Sequence, residues 1–392
     1  MRADIQQAVQ KMTEQIVAWR RDFHRHPEIA YQEERTSRVI REFLEREGFE
    51  VEPYARTGLR GMMTGNGPGP CIALRADMDA LPITEQGDKE YISQNPGAAH
   101  SCAHDGHMAI MMGVAKIVAD RRSQWSGRVA FLFQPSEEHL PGGAKPMIDE
   151  GALEGVDALF GLHLWQSLPT GQVGMVKGPM MAQPDTFDLV IKGRGGHGSM
   201  PQQTVDPIVT AAQLIINCQS IVSRNCDPLK PLVVSFGKIA GGDIYNVIPD
   251  QVKLMGTVRT FDAAIQELAE RRVREIVADT CRTFGATAEL EYHRGYPPVV
   301  NDPAMIDFAV ETLADTLGPE RTAWIDPVMG GEDFAYFLQE RPGAFMFFGM
   351  GDGMEYPHHH PAFDIDERAL PEAALFMTSL VLDFLEKRPL DQ

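Results

Sequence analysis

Cysteine is scarce in this 392-residue chain: Cys71, Cys102, Cys218, Cys226 and Cys281 are odd in number and scattered. That excludes a disulfide framework and points to free thiols in a reducing compartment. Positive charge is also short, with 36 Lys and Arg against 55 Asp and Glu and a formal net charge of -19. Nothing here supplies the basic field that tracks a phosphate backbone, so nucleic acid is excluded as an expected partner. No stretch approaches the roughly 20 apolar residues that span a bilayer, so no membrane role is expected. The N-terminal segment alternates charge with Ile5, Val9, Met12 and Ile16 at a helical period, without the apolar run of an export signal. A cytoplasmic location is the expectation. What is present is ordinary globular composition, 43% hydrophobic and 23% charged, enough for a sizeable core. At about 150 residues per domain the length suggests two or three units.

Up to about residue 180, helical patterns alternate with short apolar runs at Cys71 to Leu74, Val129 to Phe133 and Ala158 to Leu162. Such alternation indicates an α/β domain with a buried sheet. A helix is expected from Gly106 to Arg121, where Met108, Met111, Met112, Ala115, Val118 and Ala119 share one face. A strand-like run returns at Ala344 to Phe348 and a terminal helix at about Pro371 to Glu386, so residues 1–182 and 295–392 are expected to form one catalytic domain. Between them, residues 183–294 read as strand, helix, strand, strand, helix, strand. This is the order of a ferredoxin-like α+β unit, here an expected insertion bordered by Pro179, Pro184, Pro297 and Pro298.

Four segments place metal-type side chains after an apolar strand or ahead of a helix, the edge where open α/β sheets carry their sites. Cys102 and His104 stand two apart before the Gly106 helix and can reach one ion from one loop. Glu137 and Glu138 follow the second apolar run, where one carboxylate can bind metal while its neighbour moves a proton. His163 closes the third run, and His358, His359 and His360 sit in a glycine-rich loop after the late strand. Each segment has a bland alternative when taken singly: a buried thiol, solvated acids, a core histidine, a solvated cluster. Together they suggest a two-metal hydrolase.

At this point the chain resembles a known family. Arg75-Ala-Asp-Met-Asp-Ala-Leu-Pro82, Cys102-Ala-His-Asp-Gly-His107, Gln134-Pro-Ser-Glu-Glu138, Gly161-Leu-His-Leu-Trp165, Gly195-Gly-His-Gly-Ser-Met-Pro201, Asn246-Val-Ile-Pro249, Gly331-Glu-Asp-Phe334 and His359-His-Pro361 occur in order. That series is similar to the hippurate hydrolase branch of the aminoacylase and carboxypeptidase G superfamily, over nearly the whole chain. The resemblance implies metal ligands Cys102, His104, Glu138, His163 and His359, the last because the family's ligand stands two residues before a proline, here Pro361. Cys102 would bridge two divalent ions, zinc by default for thiolate and imidazole, with manganese, cobalt or nickel open. Glu137 would be the catalytic carboxylate. His197 would complete the neighbouring subunit's site in a homodimer, and Asn246 and Arg259 would hold the substrate's carboxylate end from a lid and dimerisation domain.

The implied activity is hydrolysis of the amide bond of an N-acyl amino acid to a carboxylic acid and an amino acid. A dipeptidase or carboxypeptidase using the same site is the alternative, and a metal-stabilised binding protein without turnover is a second one, disfavoured by Glu137 and His197. Three positions depart from the family's pattern. Ala103 replaces a common glycine, His139 follows the Glu pair where glycine is frequent, and Gln202 stands where a histidine often follows Met-Pro. Asp77 and Asp79 are expected to support ligands, and His24 and His26 to serve packing and hydrogen bonding.

Overall fold

The computed structural model describes residues 2–387. Two compact units emerge. The first comprises Met1–Met180, Val299–Asp326 and Asp333–Gln392; the second comprises Met181–Pro298 and Pro327–Glu332.

An eight-stranded mixed sheet organises the first unit. Its order is Glu50–Tyr54, Gly58–Thr64, Arg128–Gln134, Cys71–Asp77, Ala158–Trp165, Gly343–Gly349, Val173–Met175, Thr322–Trp324. The middle four run parallel: Cys71–Asp77 pairs with both Arg128–Gln134 and Ala158–Trp165, and Gly343–Gly349 pairs with Ala158–Trp165. Strands buried on both faces favour near-continuous apolar runs. Cys71–Asp77 and Gly343–Gly349 are buried throughout, which is why these segments read as runs and not as alternations.

Helices Arg2–Arg25, His104–Asp120 and Ala369–Lys387 pack together, the last two of them against this sheet. His104–Asp120 is buried along nearly its whole length, from His104 to Val118, so apolar residues all round it are required. The helix begins at His104, two residues before the expected start at Gly106, and all three central strands run past their apolar stretch to end on Asp77, Gln134 and Trp165. Those extensions carry the polar residues of interest.

The second unit is built on an antiparallel sheet in the order Leu232–Ala240, Gln251–Thr260, Gln183–Lys192, Thr287–His293. Helices Pro207–Ser220 and Ala263–Phe284 connect strands of this sheet, giving the ferredoxin-like β-α-β-β-α-β arrangement. Both helices start at an aspartate: Asp206 accepts the N–H groups of Ile208 and Val209, and Asp262 those of Ala264 and Ile265. A two-stranded ribbon, Gly196–His197 with Val247–Ile248, is separate from the main sheet. The α/β class with a mixed sheet and an inserted α+β unit is thus as expected. No helix of the described residues is long and apolar enough to cross a membrane.

Candidate metal centre

The C-terminal ends of the parallel strands deliver Asp77, Gln134 and His163 to one edge of the sheet, and the following loops deliver Asp79, Glu137 and Glu138. Cys102 and His104 flank Ala103, which takes the left-handed conformation with φ 67° at the helix N-cap. That backbone costs an L-residue about 1–2 kcal/mol and suits glycine, so the alanine at this position carries a strain that glycine would not. Ser136 (φ 54°) and His359 (φ 68°) share the conformation. Strain of this kind persists where surrounding contacts hold it, and it collects at sites.

Among the groups of donor atoms that result, each with its atoms within 4.8 Å of one another, are Cys102, His104 and His163; Cys102, Glu138 and His359; His104, Glu137 and Glu138; and Asp77, His104 and His107. Cys102 belongs to the first two, so its sulfur lies between two triads. His163 Nδ1 lies 2.8 Å from the Leu164 carbonyl, which leaves Nε2 facing Cys102 Sγ at 3.5 Å. His104 Nδ1 likewise lies 2.8 Å from the Asp79 carbonyl. Its Nε2 is buried with no hydrogen-bond partner, and so is Glu138 Oε1, although His359 Nε2 approaches the latter at 3.2 Å without hydrogen-bond alignment. A buried polar atom without a partner costs roughly 1–3 kcal/mol. Two such atoms converging with a thiol and further imidazoles fit a coordination site for thiolate-tolerant divalent ions.

The electrostatics point the same way. Burial works against a charged His104, yet Asp77, then Asp79 and Glu138, hold its pKa up at about 10. The field that retains a proton there also favours a cation. Burial, then Glu138 and Glu137, push the Cys102 thiol well up. Burial with His107 and His358 nearby pushes His163 well down, so its imidazole stays neutral and able to donate a lone pair.

The histidine triplet divides clearly. His358 Nε2 lies 3.0 Å from the Leu164 carbonyl, with burial pulling its pKa down to about 4. His360 stacks on Tyr356 with ring centroids 4.4 Å apart. Only His359 of the three joins a donor group, its backbone N–H anchored to the Ser101 carbonyl at 2.7 Å.

Behind the donors, Asp79 accepts the backbone N–H groups of Glu137 (2.8 Å) and Glu138 (3.0 Å). Asp77 is bracketed by Arg75 at 2.8 Å and His107 at 2.7 Å, and His107 Nε2 accepts the Leu164 N–H at 2.9 Å. Arg75 also reaches Gln134 and Asp333, tying strand ends together. The sequence motifs anticipated the supporting aspartates but assigned no role to His107, Gln134 or Asp333. Arg75 inside a wholly buried strand was the available signal, since a buried guanidinium demands acidic partners. His24 lies 2.7 Å from Asp105 and 2.8 Å from Glu85, the packing and hydrogen-bonding part expected of it.

In the second unit, His197 is exposed on the small ribbon, with Nδ1 3.0 Å from Ser199 Oγ. Exposed Asn246 adjoins it, its carbonyl accepting the Gly198 N–H at 2.8 Å. Arg259 lies away from that ribbon on Gln251–Thr260, held by Thr257 Oγ1 at 3.0 Å and the Met329 carbonyl at 3.3 Å. Burial lowers its pKa against the pull of Asp185, and among the described residues no carboxylate lies within ion-pair distance of it. His139 and Gln202 are exposed.

Known proteins share this organisation. The chain is 40% identical to N-acetylcysteine deacetylase of Bacillus subtilis over 95% of this chain and 97% of the relative. It is 44% identical to N-acyl-L-amino acid amidohydrolase of Geobacillus stearothermophilus over 76% and 81%, and 39% identical to thermostable carboxypeptidase 2 of Saccharolobus solfataricus over 97% and 98%. Among solved structures, the Bacillus subtilis YXEP protein, described as a dinuclear metal binding peptidase from the M20 family, aligns with a TM-score of 0.82 at 36% identity, covering 96% of this chain and 99% of that one. The model of peptidase family M20/M25/M40 matches residues 73–383, and the chain belongs to that family.

Proposed function

We propose that this protein hydrolyses the amide bond of N-acyl amino acids, releasing a carboxylic acid and an amino acid. The observation that carries the reading is the convergence of Cys102, His104, Glu138, His163 and His359, with two buried donor atoms lacking a hydrogen bond, beside the Glu137 carboxylate. The names of the Bacillus and Geobacillus relatives support the acyl amino acid class. In this reading Cys102, His104, Glu138, His163 and His359 would hold two divalent ions, and Glu137 would carry a proton instead of serving as an obligatory ligand. Zinc suits the thiolate and imidazoles best, with manganese, cobalt or nickel as substitutes. Bound ions of this kind supply the Lewis acidity that makes water nucleophilic near neutrality and polarises a carbonyl.

Glu137 then removes a proton from the attacking water. As the water oxygen bonds to the acyl carbon, the carbonyl oxygen becomes an oxyanion, which His197 of the partner subunit stabilises across a homodimer. Glu137 passes the proton to the amide nitrogen, the C–N bond breaks, and the amino acid leaves with its amine restored. Arg259, half-buried with its guanidinium in no ion pair among the described residues, is suited to the substrate's free carboxylate through paired hydrogen bonds, and Asn246 on the ribbon loop would add a further polar contact to the substrate. The inserted unit thereby serves as lid and dimerisation domain.

The test is a substrate panel on protein reconstituted separately with zinc, manganese, cobalt and nickel. N-acetyl and N-benzoyl amino acids should be cleaved with kcat/KM at least tenfold above that for dipeptides bearing a free amine, and methylating the substrate carboxylate should abolish the advantage. A dipeptide preference would instead favour the carboxypeptidase reading that the Saccharolobus relative's name suggests. Absence of any turnover with both ions bound would refute hydrolysis.

A further inference from the structure

Residues 136–138 present three successive N–H groups to buried carboxylates. Those of Glu137 and Glu138 go to Asp79, while that of Ser136 goes to Glu33 Oε1 at 3.0 Å. Glu33 lies more than a hundred residues earlier, immediately before helix Glu34–Arg46, and is completely buried. Its Oε1 also accepts the Tyr31 N–H at 3.0 Å, and its Oε2 accepts the Thr57 hydroxyl at 2.6 Å. Both residues whose N–H groups meet on Oε1 are left-handed without being glycine: Tyr31 at φ 60° and Ser136 at φ 54°. One carboxylate oxygen thus secures two strained backbone positions, and the second of them sets the direction in which the chain enters Glu137.

We propose that Glu33 is a positioning residue that holds Ser136 in its left-handed conformation and so aims the Glu137 carboxylate. The proposal rests on Glu137 being the proton carrier. Losing the acceptor on Oε1 leaves the buried Ser136 N–H and the partly buried Tyr31 N–H without their partner, and Ser136 then relaxes toward the conformations that serine prefers. Asp79 still holds the N–H groups of both Glu137 and Glu138, so the loop stays in place and the disturbance is largest at Glu137, the residue joined directly to Ser136, while the other metal-type donors are anchored elsewhere. Misdirection should therefore fall on proton transfer more than on metal content.

Glu33→Gln and Glu33→Ala separate geometry from charge. Glutamine keeps a carbonyl oxygen for both N–H groups, and the Thr57 hydroxyl can rotate to accept from the new amide. Burial already pushes the Glu33 carboxyl up to about 7, Thr57 opposing, so a neutral side chain is a close substitute. Glu33→Ala should lower kcat at least about tenfold with KM within threefold and both ions retained by elemental analysis. Glu33→Gln should stay within threefold of wild type in kcat. Hydrogen exchange should quicken at residues 136–138 in the alanine variant and not across the sheet. Adding Ser136→Gly to Glu33→Ala should recover several-fold in kcat, because glycine adopts the left-handed region without steric cost.

Wild-type kcat in a folded Glu33→Ala protein would overturn the proposal. Equal impairment of both variants, exchange spread over the whole unit, or no recovery from Ser136→Gly would do so as well. If wild-type protein cleaves no N-acyl amino acid, the functional reading falls, while exchange at residues 136–138 still decides whether Glu33 holds the loop.

Discussion

Glu137→Gln should leave the fold and metal content intact while removing nearly all turnover. The side chain is only 9% exposed, and its Oε2 stands 4.0 Å from His104 Nε2. Its backbone N–H is bound by Asp79, a contact that the substitution leaves untouched. Glutamine has the same shape, so packing changes little, and the loss is that of a proton acceptor. A positioned general base contributes about 10²–10⁴-fold, or roughly 3–5 kcal/mol of barrier. One negative charge also leaves the ion cluster. Unit charges 4 Å apart interact by about 4 kcal/mol at an effective dielectric of 20, so affinity for ions weakens and the comparison belongs at saturating metal. The assay pairs steady-state hydrolysis of an N-acyl amino acid with elemental analysis and a melting curve. Turnover within tenfold of wild type, with two ions bound, would refute Glu137 as proton carrier.

Cys102→Ala and His163→Ala should each lower metal occupancy at limiting metal, as should His359→Ala, whereas His358→Ala should retain it; full occupancy in Cys102→Ala would break the ligand assignment. In mixed dimers of Glu137→Gln with His197→Ala, one site carries both lesions and the other neither, so randomly mixed chains should regain about a quarter of wild-type activity. No recovery with mixed dimers present would eliminate the shared site. A last prediction concerns Glu85, whose side chain is 3% exposed and lies beside His24 and Lys89. Burial opposes its charge, but His24 first and Lys89 next lower its pKa to about 2. A depressed carboxyl stabilises above its unfolded pKa and loses that contribution as pH falls through the folded value. Glu85→Gln should therefore cost about 3 kcal/mol at pH 7 in urea unfolding, with the deficit roughly halved at pH 3. An unchanged deficit at pH 3 would contradict the linkage.

How much of this arrangement a reader could extract from the amino-acid order depends on whether a residue's role is local or tertiary. The central strands announced themselves because burial on both faces forces unbroken apolar runs, and polar residues directly after them marked the sheet edge. Their true ends were hidden. Arg75 and Asp77 interrupt the apolar pattern although the strand continues, since a buried arginine between Asp77 and Asp333 is stable only through a partner 258 residues away. The helix start at His104 was equally hidden, because a left-handed Ala103 leaves no periodic trace. Among three adjacent histidines, composition offers no ranking. The fold ranks them by giving His358 the Leu164 carbonyl and His360 the Tyr356 ring.

Acidic residues show the limit most sharply. Glu33 sits in a run that reads as a solvated helix start, Gln32-Glu33-Glu34-Arg35, yet it is fully buried and Glu34 is exposed. Nothing in the spacing separates these neighbours. What separates them is that one meets the N–H groups of Tyr31 and Ser136 and the hydroxyl of Thr57, three donors that need an acceptor once water is excluded. A carboxylate's role here follows from which backbone donors the fold leaves unsatisfied around it, so the supporting acids become legible only after the strands have been paired.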